Sequence, residues 1–380
     1  MKYLNLLKKI CCILVILFTL QISGCVESEE QFRRPDIDLR LSVWVDQPSI
    51  LPNWSDDNYH DYYETTSTIF DYQTRFPQFV DLFTIGTSVA GKNIWCMKIT
   101  NEVTTNQKYS CLIDGCIHGS EWEAGEACLY LAEYLLINFG WNQTVSNILN
   151  TTDIYIVPNV NPDGRQKDYR FNDHGIDLNR NFDVHFGRLR GHSIPLGMLF
   201  GRIKIPRIDV PYFGFLTNSG RRPFSEPETH ALRDLMKELG TQKFSFYITC
   251  HTATHQVLPP WSTFKPIFKK TEQEKLVFSE IMEWIVDNTE YEASPLGYKA
   301  SGTSLDWCFK EFRIPCFTFE LLSFDYEPRS GGGRHDNLVH WMKTGLPVFL
   351  YLLVNVEDLN NWDIPRNNPA LPEGVPPKPI

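Results

Sequence analysis

Several features that mark other protein classes are missing from this 380-residue chain. It has ten cysteines but no Cys-x-x-Cys pair, so nothing supports a structural zinc ribbon or a thioredoxin-like redox site. It contains no internal repeat and no basic stripe interleaved with aromatic residues. The formal net charge is −10, and an acidic surface opposes phosphate binding. These absences exclude nucleic acid as an expected partner, and no obligate protein partner is evident.

The N-terminus is typical of a secretory signal. Three lysines precede a hydrophobic run at 10–20 that is too short to cross a bilayer. The run ends in Ile22-Ser-Gly-Cys25, which resembles a prokaryotic lipoprotein signal, where cleavage exposes a cysteine that is then acylated. We predict a signal peptide at 1–24 and a lipid on Cys25 that anchors the chain to the membrane at the extracytoplasmic face of the cell envelope. A secreted product of an ordinary signal, or an uncleaved signal anchor, is the alternative.

The remaining chain is predicted to form one α/β domain. Short hydrophobic runs alternate with longer helical periodicities from Tyr59 onward. We expect a polar tether at 25–57, a globular domain at 58–356 and a tail rich in Pro and Asn at 357–380. The predicted strands are Ile94–Ile99, Ser110–Ile113, Ile154–Val157, Phe244–Cys250 and Cys316–Leu321. The stretch from Arg188 to Phe213 has no clear hydrophobic period and is predicted to form a long excursion.

Helix starts are indicated by two tetrapeptides with capping-box spacing. Ser225-Glu-Pro-Glu228 and Thr271-Glu-Gln-Glu274 each predict the beginning of a helix. Both acids of the first box therefore have an expected structural role. Apolar residues between Ala124 and Leu135 recur at three- and four-residue spacing, which predicts a helix that packs on a sheet just after Glu121.

A candidate metal site is formed by His118-Gly-Ser-Glu121 together with His251. Two imidazoles and one carboxylate make an open catalytic zinc site, since three protein ligands leave a coordination position for water. The spacing alone is weak evidence because a His three residues before a Glu is common by chance. His255 is expected to line a cleft or lie on the surface.

Five blocks, in order, resemble the zinc metallocarboxypeptidases of the carboxypeptidase A/B type, peptidase family M14. The blocks are His118-Gly-Ser-Glu121-Trp, Asn161-Pro-Asp-Gly164 with Tyr169-Arg-Phe-Asn172, Asp177-Leu-Asn-Arg-Asn-Phe182, Cys250-His-Thr252, and Tyr298-Lys-Ala-Ser-Gly-Thr-Ser-Leu-Asp-Trp307 with Phe317-Thr-Phe-Glu-Leu321. The resemblance runs from about Tyr59 to Val354. It implies one three-layer α/β/α domain with a mixed, mostly parallel sheet, helices on both faces and one Zn2+ per chain.

The resemblance also implies roles for residues around the metal. Glu320 would be the general base, and its apolar neighbours make a lone carboxylate costly to bury unless it faces a cleft, a partner or a metal. Asp177 would bond the second ring nitrogen of His118. Arg170 would stabilise the oxyanion, with Arg165 as the other candidate because the match around Arg170 is looser.

Recognition of a peptide or protein C-terminus is the remaining function that the resemblance implies. Asn179 and Arg180 would bind the terminal carboxylate, and Tyr298 would close over the substrate. Leu305 occupies the position where an acid marks the basic-specific branch, so we expect apolar or aromatic terminal residues to be preferred. Ser120 replaces an arginine of the digestive members, which puts binding of extended peptides in doubt.

Two other functions remain open from the sequence. One is an amidase or peptidase that acts on cell-wall peptides, which an envelope location permits. The other is a catalytically silent peptide-binding module on the same fold. Retention of the ligands, the base and the carboxylate-binding residues argues against the silent module.

Overall fold

The computed structural model describes residues 49–104, 107–188, 218–252, 254–262, 266–293, 300–321 and 337–375, and the backbone of two short strands at 193–195 and 202–204. Residues 45–380 make one compact unit. The strands are β1 Val80–Thr87, β2 Asn93–Ile99, β3 Tyr109–Asp114, β4 Thr152–Val157, β5 Ser193–Pro195, β6 Arg202–Lys204, β7 Phe244–His251, β8 Gln256–Leu258, β9 Glu292–Ala293 and β10 Cys316–Glu320. The helices are α1 Tyr62–Arg75, α2 Trp122–Asn138, α3 Gln143–Thr151, α4 Pro162–Lys167, α5 Pro227–Leu239, α6 Glu272–Asn288, α7 Ser304–Phe312, α8 Leu338–Val354 and α9 Val356–Asn361.

Eight of the strands form one mixed sheet in the order β1-β2-β4-β3-β7-β10-β8-β9. The four central strands, β4, β3, β7 and β10, are mutually parallel, whereas β1, β2 and β8 pair antiparallel to their inner neighbours. Every residue of β7 is buried, as expected for a strand covered on both faces. The α/β prediction is confirmed, and so is the mixed sheet.

All five strands predicted from the sequence are present, with ends displaced by at most two residues. The prediction missed β1, whose eight residues show little regular alternation between buried and exposed positions. This strand forms a hairpin with β2, and the pairing shifts between Thr84 and Gly86. Such a bulge breaks the two-residue period by which a strand is recognised in a sequence.

Side-chain capping explains where helix α6 begins but not where helix α5 begins. The Thr271 capping box is present: its side chain accepts from the backbone of Glu274, and Glu274 accepts from the backbone of Thr271. The box predicted at Ser225 is wrong. The helix α5 begins at Pro227 with Glu226 as the N-cap, and no side chain caps it. The Ser225 hydroxyl instead donates to the Glu226 carboxylate, 2.6 Å away.

Helix α2 contacts three of the central strands, β3, β4 and β7. Sixteen of its residues, all except Glu133, are buried, so it packs against strands on one side and other helices on the other. Residues that precede Tyr59 also contact this helix: the Trp54 indole N–H donates to Glu133 at 2.7 Å, and the Ile50 N–H donates to Asn138 at 2.8 Å. The predicted domain boundaries remain predictions.

None of the helices in the described part of the chain combines the length and the apolar character needed to cross a membrane. The predicted signal peptide and Cys25 lie outside the described residues, as does most of the excursion from Arg188 to Phe213. The seven cysteines from Cys96 onward are buried free thiols, which pack as small hydrophobic residues.

Candidate active site

The carboxyl ends of the central parallel strands bring the candidate residues together. His118 follows β3 by four residues, His251 is the last residue of β7, and Glu320 is the last residue of β10. In the parallel pairing of β10 with β7, Glu320 lies directly opposite His251. Open α/β sheets place their sites at this edge because the loops that follow parallel strands converge there.

His118, Glu121 and His251 form a compact cluster. Their ligand atoms all lie within 4.8 Å of one another. The Glu121 carboxylate has one oxygen 2.8 Å from His118 Nδ1 and the other 2.8 Å from His251 Nδ1, and the two Nδ1 atoms are 3.2 Å apart. Glu121 can reach both rings because it is the N-cap of α2 and its side chain caps nothing in that helix.

The donor set fits a zinc ion. Two imidazole nitrogens and a carboxylate converge from three directions, and all three side chains are almost fully buried. Burial alone would raise the pKa of Glu121, but His118 and His251 together lower it far below its usual value. Within the described residues this is the only group of three or more His, Cys, Asp or Glu side chains able to hold a metal.

Asp177 lies on the outer side of His118. One of its oxygens is 3.1 Å from His118 Nε2, so the ring can present Nδ1 inward to a metal. The same oxygen also accepts from the backbone of Asn179, which caps a short 3-10 helix at Leu178–Arg180. Burial would raise the pKa of Asp177, but Arg170 and Arg180 hold it well below its usual range.

Arg170 joins the second Asp177 oxygen to the ligand cluster. Its Nε and Nη2 donate to Asp177 Oδ2 at 3.1 and 3.0 Å, and its Nη1 is 3.4 Å from Glu121 Oε1. The side chain is 36% exposed, so the guanidinium borders both the cluster and solvent. This position suits a cation that faces a reacting carbonyl.

Arg165, the other candidate for that role, lies elsewhere in the structure. Its guanidinium forms a buried ion pair with Glu126, donates to the His60 carbonyl and stacks 4.1 Å from the Trp122 ring. The side chain is only 1% exposed. Arg165 is therefore a structural residue that ties α2 to the segment before α1, and Arg170 is the remaining candidate.

Glu320 is buried beside the cluster, with 5% of its surface exposed. Burial raises its pKa to about 7, and the neighbouring His251 and Arg170 oppose that rise. A carboxyl group in this range changes protonation near neutral pH, as a general base must. A cation held by the neighbouring ligands would favour the ionised form.

Asn179 and Arg180 lie between the cluster and helix α7. The Asn179 side chain contacts His251 Nε2 at 3.1 Å and accepts from the Ser304 N–H at 2.9 Å. The Arg180 Nη1 donates to the Asn179 carbonyl at 2.7 Å. Leu305, the residue predicted to floor a specificity pocket, is the second residue of α7 and is buried.

The predicted site also includes Tyr298, which lies outside the described residues. His255 takes no part in the ligand cluster. Its ring packs near Tyr291 and Trp341, with centroids 4.4 and 5.3 Å away, in a partly buried position.

Sequence reasoning missed how the loop that carries Arg170 is fastened. The Asn172 side chain donates to Glu226 at 2.8 Å and to Glu228 at 3.2 Å, and its oxygen accepts from the His174 and Ile176 N–H groups. Glu226 and Glu228 thus have a structural role, but as partners of Asn172 rather than as members of a capping box. No local pattern could have revealed the link, because Asn172 lies 54 and 56 residues from the two acids.

The family profile described as zinc carboxypeptidase matches residues 65–200 and 215–332, more than half of the chain. The matched residues include every ligand of the cluster, Glu320 and both arginines at 170 and 180. The chain belongs to the zinc carboxypeptidase family.

Individual members of the zinc carboxypeptidase family are distant from this chain. It is 24% identical to rat carboxypeptidase A2 over 289 residues, which cover 71% of this chain and 64% of that protein. It is 25% identical to bovine carboxypeptidase O over 323 residues, which cover 78% of each. The carboxypeptidase A of Helicoverpa armigera has the same fold, with a TM-score of 0.60 at 21% identity over 82% of this chain and 76% of that one. The chain thus spans slightly less than two thirds of the length of the rat enzyme.

Proposed function

We propose that this protein is a zinc-dependent carboxypeptidase of the A/B type, which releases the last residue of peptides or proteins. The observation that carries the proposal is the convergence of the ligand cluster and Glu320 at one sheet edge, with Asn179 and Arg180 beside them. One zinc ion per chain, when bound by His118, Glu121 and His251, supplies Lewis-acid chemistry.

The chain's own residues account for the proton transfers. Glu320 accepts a proton from the attacking water and returns it to the leaving amine, since it is the buried carboxyl group that lies beside the ligand cluster without belonging to it. Arg170 donates hydrogen bonds to the oxyanion that develops on the scissile carbonyl, and Asp177 holds the guanidinium in place. Burial of Glu320 limits competition from bulk solvent.

Attack at a chain end requires recognition of a free carboxylate. A planar guanidinium can bind a carboxylate through two parallel hydrogen bonds, which suits Arg180 to the task. The Asn179 amide supplies a further donor next to His251. Tyr298, by the family resemblance, closes over the bound substrate.

We expect a preference for apolar or aromatic terminal residues, because position 305 carries a leucine and so offers no carboxylate to pair with a terminal Lys or Arg. The test is release of C-terminal residues from a peptide library with and without zinc, with cell-wall peptides as a separate arm. Rapid zinc-dependent release of Phe or Leu, with Lys or Arg at least about tenfold slower, supports the proposal, since a missing charge partner costs more than 1 kcal/mol. Faster release of Lys or Arg contradicts the preference, and cleavage confined to cell-wall peptides favours the amidase.

We also propose that the mature protein is tethered to the membrane through a lipid on Cys25. The support is the hydrophobic run at 10–20, which is followed after Gln21 by Ile22-Ser-Gly-Cys25. Expression of the full chain in a bacterial host should place it in the membrane fraction, and Cys25→Ser should shift it to an uncleaved or soluble form. Equal lipid labelling of the two proteins would contradict the tether.

A further inference from the structure

Strand β7 presents three polar side chains on one face, because residues two apart in a strand point the same way. These are Tyr247, Thr249 and the metal-ligand candidate His251. Asp114, the last residue of β3, pairs with Thr249 in the parallel register. The Asp114 carboxylate accepts from the Tyr247 hydroxyl at 2.6 Å and from the Thr249 hydroxyl at 2.8 Å.

The direction of these hydrogen bonds fixes the role of Thr249. A hydroxyl has one proton to donate, and Thr249 donates it to the Asp114 carboxylate. An ionised carboxylate has no proton and acts only as an acceptor. The remaining lone pairs of the Thr249 oxygen therefore act as acceptors. His251 Nε2 lies 3.4 Å from this oxygen, so a proton on Nε2 can be donated to it.

Asn179, the other neighbour of His251 Nε2, cannot accept that proton. Its Oδ1 is already engaged by the Ser304 N–H, which leaves Nδ2 facing the ring at 3.1 Å. An amide nitrogen only donates. Between these two contacts, Thr249 is the acceptor that stabilises the tautomer of His251 with its proton on Nε2.

We propose that Thr249, held by Asp114, is a positioning residue that orients His251 and directs the lone pair of Nδ1 toward the metal. This inference rests on the zinc site of the proposed function. The second ring nitrogen of His118 contacts the Asp177 carboxylate directly, whereas that of His251 contacts the Thr249 hydroxyl, which is in turn bound to Asp114. The arrangement explains why a carboxylate is buried at the end of β3 with no basic partner among its bonds.

The test is the zinc affinity of metal-free protein, measured by competition with a chromogenic chelator. Thr249→Val, which keeps the shape of the side chain, should weaken zinc binding by about 10- to 100-fold. Thr249→Ser should stay within about threefold of wild type, because it retains the hydroxyl. Thr318→Val is the matched control: Thr318 lies opposite Thr249 on β10 and two residues before Glu320, as Thr249 lies before His251. It should bind zinc as wild type does.

Thermal unfolding of the metal-free variants separates positioning from folding. If Thr249→Val does not fold, Thr249→Ala removes the hydroxyl without adding bulk and is measured in its place. Wild-type zinc affinity in a folded variant without the hydroxyl would overturn the proposal, as would an equal loss in Thr318→Val. Because the readout is metal affinity, a wild-type protein that binds zinc but cleaves no peptide would refute the proposed function and leave this inference standing.

Discussion

Glu320→Gln is expected to lower kcat by about 10²- to 10⁴-fold, the usual contribution of a general acid–base group. Glutamine keeps the size and polarity of the side chain but cannot accept a proton from water. Zinc affinity should remain close to wild type, because Glu320 faces the ligand cluster without belonging to it. The measurements are kcat on a peptide with a C-terminal apolar residue, and zinc affinity by chelator competition.

The matched control for that variant is Glu123→Gln. Burial also raises the pKa of Glu123 to about 7, but this side chain accepts from the Tyr59 hydroxyl at 2.8 Å, outside the ligand cluster. It should retain kcat within about threefold, since it takes no part in proton transfer. Equal turnover in Glu320→Gln and wild type would remove Glu320 from the mechanism.

Arg180→Met should reduce kcat/KM by about 10²- to 10³-fold, because loss of one partner of a buried charge pair costs about 3–4 kcal/mol. The loss should depend on the substrate. A peptide with a free terminal carboxylate has a charge for Arg180 to bind, whereas its C-terminal amide has none. Wild type should strongly prefer the free acid, and the variant should treat acid and amide nearly alike.

Arg75→Met is the control for that experiment. It removes an arginine whose partner, Asp71, lies one turn earlier on an exposed face of α1. Exposed pairs of this kind contribute at most about 1 kcal/mol, so kcat/KM should be unchanged. An unaltered preference for the free acid in Arg180→Met would assign carboxylate recognition to other residues.

The sequence predicted most of the elements that build the site, because their signals are local. A run such as the one before Glu320 identifies a buried strand, and the spacing of His118 and Glu121 fits a strand, a turn and a helix start. His251 could be joined to them because parallel strands share an edge. The first two inferences use residues within a few positions of one another, whereas the third uses a general rule of sheet topology.

The contacts that escaped prediction join distant positions. Asp114 and Thr249 are 135 residues apart, and no sequence pattern near either residue predicts their contact. Arg165 was a plausible oxyanion donor until the structure placed it against Glu126, on a different element. Ser225 had the spacing of a capping residue, yet the acids of its box are drawn to Asn172. Competition among tertiary partners decided these cases, and it leaves no local pattern.

The position of β10 in the sheet has a consequence for the order in which the domain is assembled. Strand β8 follows β7 by only four residues, yet β10 lies between them and pairs with both. A growing chain can thus bring His118, Glu121 and His251 together before residues 316–320 have been synthesised. Glu320, the proposed base, enters last with the strand inserted between β7 and β8, so an unfinished chain has the three candidate metal ligands without the proposed base.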